Sequence, residues 1–291
     1  MPAVTLTAGA TSARFWPGAG MLCTSLHHGD DEFVAWPRTM ADFREGRVTA
    51  APLVHPWGNR LSRWGYRAAG TDVDLEGHDL PVDGNGLPIH GNLRAAKFGV
   101  VDRSDTHLRA ELDYGARPRL MHDFPFPHIL RVDATLTEGA LQLDTTVVPT
   151  SDRAVPISFC WHPYLRLPAG ARKDWTLRWP ACDHVEVDDR VIPTGARTRQ
   201  DAQDEPIARR TFDDHYALGA DRRFEVRAEG RTLALTFDEN YPYAQLYVPR
   251  EGRFIAIEPM TATIAALDAD DAPLCQPGDE FTASFTISIT A

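Results

Sequence analysis

Apolar residues in this chain return again and again at every second position and rarely at helical spacing. Leu141-Gln142-Leu143-Asp144-Thr145-Thr146-Val147 alternates, and so does Phe281-Thr282-Ala283-Ser284-Phe285-Thr286-Ile287-Ser288-Ile289. On a strand successive side chains point to opposite faces, so this pattern predicts half-buried antiparallel strands. Phe224–Ala228 and Leu233–Phe237 flank Glu229-Gly230-Arg231 and predict a β-hairpin. The 21 glycines and 22 prolines are spread along the chain, as expected of many turns and not of one linker. Only Met40–Glu45 and Ala262–Asp268 suggest a helical turn or two. No long amphipathic segment alternates with the strands, which excludes a doubly wound α/β architecture. Strand-like segments continue from Val4 to Ile289 without a break or an internal repeat. The expectation is one all-β domain over residues 1–291, built of stacked antiparallel sheets, a size such folds reach.

Composition narrows the partners. Hydrophobic residues at 43% and charged residues at 24% fit a globular chain and exclude disorder and coiled coil. The net charge of −11 would repel a phosphate backbone, so nucleic acid is not an expected partner. No run approaches the roughly 18 apolar residues of a membrane span, and Met1–Pro17 carries neither a basic nor an apolar signal region. Cys23, Cys160, Cys182 and Cys275 form no C-x-x-C pair. A soluble, cytoplasmic protein with reduced thiols is expected.

Four short segments place His, Arg or Glu beside turn residues at the ends of apolar runs, where a rigid sheet can present a side chain to a cleft. They are His55-Pro56-Trp57-Gly58-Asn59-Arg60, Pro88-Ile89-His90-Gly91-Asn92, Phe159-Cys160-Trp161-His162-Pro163-Tyr164 and Ile255-Ala256-Ile257-Glu258-Pro259-Met260. Each also fits a bland role. His90 could donate to a turn carbonyl, His162 could be a core histidine wedged between Trp161 and Tyr164, and Arg60 could be a surface cation. Glu258 is harder to dismiss, because a carboxylate after three apolar residues must be solvated, paired or used. The chain has no H-E-x-x-H, no P-loop and no G-x-S-x-G elbow, and Gly84-Asn85-Gly86 is too short to cradle a phosphate. His55, His90, His162 and Glu258 lack metal-ligand spacing, so no metal is expected.

Asn59-Arg60, His90-Gly91, His162-Pro163-Tyr164, Phe212-Asp213-Asp214-His215-Tyr216, Gln245-Leu246-Tyr247 and Glu258-Pro259 stand in the order and approximate spacing of the aldose 1-epimerases, the galactose mutarotases. The chain resembles that family from about Pro52 to about Leu267. The resemblance implies a large antiparallel β-sandwich, the galactose mutarotase-like supersandwich. It implies Glu258 as the base at the anomeric O1 hydroxyl, His162 as the acid at the ring oxygen O5, and His90 near O5. It also implies Asn59, Arg60, Asp213 and Gln245 as ligands of sugar hydroxyls. Trp57, Trp161 and Tyr164 would suit stacking on a sugar ring, and Trp161 is taken as a substrate contact. Opening a cyclic hemiacetal removes a proton at one oxygen and delivers one to its neighbour, so a carboxylate and an imidazole suffice. No cofactor is implied.

The expected partner is a small sugar, met by a monomer or homodimer. Two departures bear on which sugar. His90-Gly91 is followed by Asn92-Leu93-Arg94 where galactose enzymes tend to have a second glycine, and Glu258-Pro259 continues Met260-Thr261-Ala262-Thr263. An alternative is a hexose-6-phosphate or other anionic-sugar 1-epimerase, with Arg94 or Arg63 meeting the anion. A non-catalytic carbohydrate-binding protein on the same fold is a second, and a hydrolase pairing Asp213 with Glu258 a third.

Overall fold

The structure is a computed structural model that describes residues 2–35, 39–44, 50–94 and 96–290. Two large antiparallel sheets dominate it. The first has nine strands in the order Gln203–Pro206, Thr176–Trp179, Arg223–Ala228, Arg231–Phe237, Phe281–Thr290, Ala140–Pro149, His128–Thr137, His107–Asp113 and Gly99–Arg103. The second runs Pro193–Gln200, Cys182–Val187, Phe212–Leu218, Tyr243–Val248, Ile255–Met260, Cys160–Trp161 and Leu53–Val54, and Tyr164–Leu165 also pairs with Ile255–Met260. A four-stranded sheet of Val4–Ala8, Thr11–Trp16, Leu22–His28 and Asp31–Glu32 carries the N-terminal segment. The all-β, antiparallel expectation holds.

The period-two segments do what their pattern dictates. In His128–Thr137 the residues Leu130, Val132, Ala134 and Leu136 are buried, and Leu141, Leu143 and Phe285 join them on neighbouring strands. The other sheet answers with Trp161, Leu246 and Ile257. Trp161 Nε1 donates to Thr145 Oγ1 at 2.9 Å, tying the two sheets together inside the core. The hairpin turn is two residues long, Glu229-Gly230, both at positive φ, so Arg231 belongs to the following strand and not to the turn.

Helix is scarce. Met40–Arg44 forms one turn, while Glu45 lies outside the described residues. Ala262–Asp268 is a series of turns and not a helix, with Ala265 at φ 59°. Pro118–Asp123 is a six-residue helix that the strand pattern did not announce; Pro118 at its start suits the first helical turn. Among the described residues no helix is long and apolar enough to cross a membrane.

Candidate active site

Strand register places the polar residues. In the eight-stranded sheet His215 pairs with Gln245, and Gln245 pairs with Glu258. Cys160 pairs with Met260 and Tyr164 with Ala256, so the same register sets His162 beside Glu258. Directly opposed residues share a face, and the result is one polar row: His215, Gln245, Glu258, His162. One step along the strands lies a second row, Asp213, Tyr247, Ala256 and Tyr164. The intervening residues Leu246, Ile257 and Trp161 point the other way into the core. Pro163, which has no N–H, interrupts the strand after His162, and the chain continues through His162 N to Pro52 O and Tyr164 N to Ala50 O.

Two loops roof this face. His90 N donates to Asn59 O at 2.7 Å, Leu61 N to Pro88 O at 2.9 Å, and Arg60 bridges Ile89. Asn59, His90 and Gly91 all take positive φ. A Cβ on Gly91 would stand 2.2 Å from the His55 carbonyl oxygen, so the glycine after His90 is required by close packing as well as by conformation. Arg60 Nε donates to Asp83 Oδ2 at 2.8 Å, in a nearly buried pair. Asp83 also accepts from Asn85 N and Leu87 N, so the Gly84-Asn85-Gly86 turn serves to hold the anchor of Arg60.

Glu258 and His162 are both buried, at 2% and 6% exposure, with Glu258 Oε1 3.1 Å from His162 Nε2. Burial pushes the Glu258 carboxyl well above the usual carboxylate range; the charge of Asp213 adds to this and Arg60 opposes it. Burial also holds His162 well below the usual imidazole range, and the neighbouring His90 adds to it. Desolvation therefore favours a neutral pair with one proton between carboxyl and imidazole. The Tyr164 ring stacks on His162 at 4.3 Å, and its hydroxyl stands 3.3 Å from Nε2. His90 meets His162 edge-on at 5.4 Å. Burial, then the charges of Arg60 and Arg94, hold His90 down to about 4, so it acts as a neutral imidazole.

Gln245 Nε2 donates to Asp213 Oδ1 at 2.7 Å and so ties the buried row to Asp213, which is exposed at the edge of this face. Several buried polar atoms here have no partner: Glu258 Oε2, Gln245 Oε1, Asn59 Oδ1, and Nδ1 of His90, His162 and His215. These atoms lie around one face of the sheet and retain capacity to donate or accept further hydrogen bonds.

Seven of the expected site residues thus come together around this face. Trp161 does not. It is wholly buried and bonded to Thr145, because its neighbour His162 faces the pocket and adjacent strand residues point oppositely. Trp57 is likewise a core residue, while Tyr164 is at the site. His55 turns away, with Nε2 3.0 Å from His128 Nε2. The motifs contain His215 and Tyr247 but give them no role, and Asp83 lies outside them. The alternation that puts Asp213 on the pocket face puts His215 there too, and that signal was available.

The family model for aldose 1-epimerases matches residues 2–288. The chain belongs to the aldose 1-epimerase family. No curated protein matches it in sequence. Solved structures of the same fold include a galactose mutarotase-like protein from Clostridium acetobutylicum, with TM-score 0.88 and 15% identity over 99% of this chain and 95% of that one. A galactose mutarotase related enzyme from Lactobacillus acidophilus superposes with TM-score 0.82 and 19% identity over 100% and 98%. The aldose epimerase homologue from C. elegans gives 0.81 and 18% over 99% and 98%. At these identities the likeness is one of fold. For this aldose 1-epimerase family member the match extends well beyond the Pro52–Leu267 span that carries the short motifs.

Proposed function

We propose that the protein is an active, cofactor-independent aldose 1-epimerase that interconverts the α and β anomers of a free aldohexose in the cytoplasm. The observation that carries this reading is the buried Glu258–His162 contact at 3.1 Å in a row of polar side chains. Transfer of the shared proton from Glu258 to His162 gives the reactive ion pair, in which Glu258 takes the proton from the anomeric O1 hydroxyl while His162 delivers one to O5. The C1–O5 bond breaks and leaves an open-chain aldehyde. Rotation about C1–C2 and attack of the O5 hydroxyl on the other face restore the ring with the roles reversed. Burial that lifts the carboxyl and lowers the imidazole brings their proton affinities closer together, which suits exchange in both directions. His90, neutral and edge-on to His162, would orient the acid and the ring oxygen, and Arg60, Asn59, Gln245 and Asp213 would hold hydroxyls. Four free, buried thiols fit a reducing compartment.

Polarimetry on freshly dissolved α-glucose and α-galactose tests this. The expected result is faster relaxation to anomeric equilibrium, lowered about 10²–10⁴-fold in Glu258→Gln. Sugar binding without acceleration would leave a carbohydrate-binding protein.

One observation supports a second substrate class. Arg94 is half-buried, has no acidic partner among the described residues, and shares the space lined by His90, His162 and Tyr164. A hexose bearing a phosphate or sulfonate would place its anion there. Higher kcat/KM on glucose 6-phosphate than on glucose, lost in Arg94→Ala, would favour that class.

A further inference from the structure

A cluster of metal-ligating side chains lies apart from the polar row. His78, in the loop after the strand Thr71–Asp74, donates from Nδ1 to Asp123 Oδ1 at 2.7 Å. His122, next to Asp123 at the end of the helix Pro118–Asp123, has Nδ1 3.8 Å from the same oxygen. One ligand atom from each residue lies within 4.8 Å of the other two. The two imidazole rings stack in parallel, with centroids 3.9 Å apart.

The carboxylate is built into place. Asp123 Oδ2 accepts from Asn92 Nδ2 at 2.8 Å, and Asn92 Oδ1 in turn accepts from Tyr114 OH at 3.1 Å. Tyr66 OH donates to the Asp123 carbonyl at 2.8 Å. One carboxylate oxygen is thereby committed to a supporting network, and the other faces two imidazoles. Supporting bonds of this kind orient metal ligands.

We propose that His78, His122 and Asp123 form a binding site for a borderline divalent cation such as Zn²⁺. Two imidazoles and a carboxylate select such an ion over Mg²⁺ or Ca²⁺, which prefer all-oxygen sets. The ion takes the position of the proton between His78 Nδ1 and Asp123 Oδ1, and that proton moves to His78 Nε2. Parallel rings cannot both hold one ion in their planes, so His122 turns about its side-chain torsions to bind. Its side chain is 69% exposed, and the turn meets little resistance. The remaining coordination positions belong to water. Arg94, Lys97, Arg117 and Arg119 line the adjoining cavity and weaken the site by repulsion, with Arg119 offset by Asp79 at 3.0 Å. Occupancy would staple the His78 loop to the Pro118–Asp123 helix. It carries no step of the epimerase chemistry, and none of its residues belongs to the row that holds Glu258.

The test is isothermal titration of tag-free protein with ZnCl₂, beside thermal melts with and without the metal. Wild type should bind one equivalent and melt higher with zinc. His122→Gln, on an exposed side chain, should fold as wild type, bind at least about tenfold more weakly and lose most of the thermal gain. His78→Gln should do the same. No saturable binding at about 100 μM zinc, which corresponds to a very weak site, would overturn the proposal. So would equal binding by wild type and His122→Gln.

Discussion

Two pairs of buried groups centred on histidine sit in one molecule and differ in what surrounds them. His55 and His128 lie in an aromatic nest with Tyr114, Phe124 and Phe159, their Nε2 atoms 3.0 Å apart. His128 Nδ1 donates to Phe126 O at 2.6 Å, so its Nε2 accepts the proton of His55 Nε2. Burial, partly offset by that carbonyl, holds His128 down to about 4, and both rings stay neutral. His162 is also buried but faces a carboxyl whose second oxygen is unpartnered. Burial alone thus does not distinguish a working histidine from a structural one. The difference lies in the partner: His55 meets a second imidazole, whereas His162 meets a carboxyl with which, in the proposed mechanism, it exchanges a proton.

Breaking each pair should separate the two roles. His162→Asn should lower mutarotation by about 10²–10⁴-fold in a polarimetric assay, while the circular dichroism spectrum stays as in wild type. His128→Leu should do the reverse. It leaves a buried N–H of His55 unpaired, so urea denaturation should show a loss of about 1–3 kcal/mol with activity per folded molecule retained. A smaller effect sharpens the contrast through pH. Burial raises the folded-state proton affinity of Glu258 above its unfolded value, so its cost to the fold grows as pH rises past the ordinary carboxylate range. Glu258→Gln should therefore be more stable than wild type above the ordinary carboxylate range, with the gap closing as pH falls to that range. Melts across that range check it, and a gap that widened in acid would contradict the burial argument.

The alternation along Leu141–Val147 and Phe281–Ile289 was enough to read the sheets, because strand periodicity is written locally. The motifs named Glu258, His162, His90, Asn59, Arg60, Asp213 and Gln245 as expected site residues, and the structure brings them to one face. Their common face was not legible, since it depends on which strands pair and in what register across about a hundred residues. Trp161 went to the wrong side for a local reason: two neighbours on a strand cannot both face the pocket. His215 was missed by the same oversight in reverse. Asp83 was hidden because its role, restraining Arg60, appears only when the Gly84–Gly86 turn folds against residues 59–61.

The missing side chain of Gly91 also sets where this protein has room to diverge. With His55 O so close behind it, the segment that carries His90 and the segment that carries Asn59 and Arg60 can drift only as one body. For the proposed epimerase, adapting to a new sugar could not retune the height of His90 over the sheet without rebuilding both at once. In the proposed enzyme, change in preference falls instead to the rim, where Tyr247 adjoins both Asp213 and Phe254.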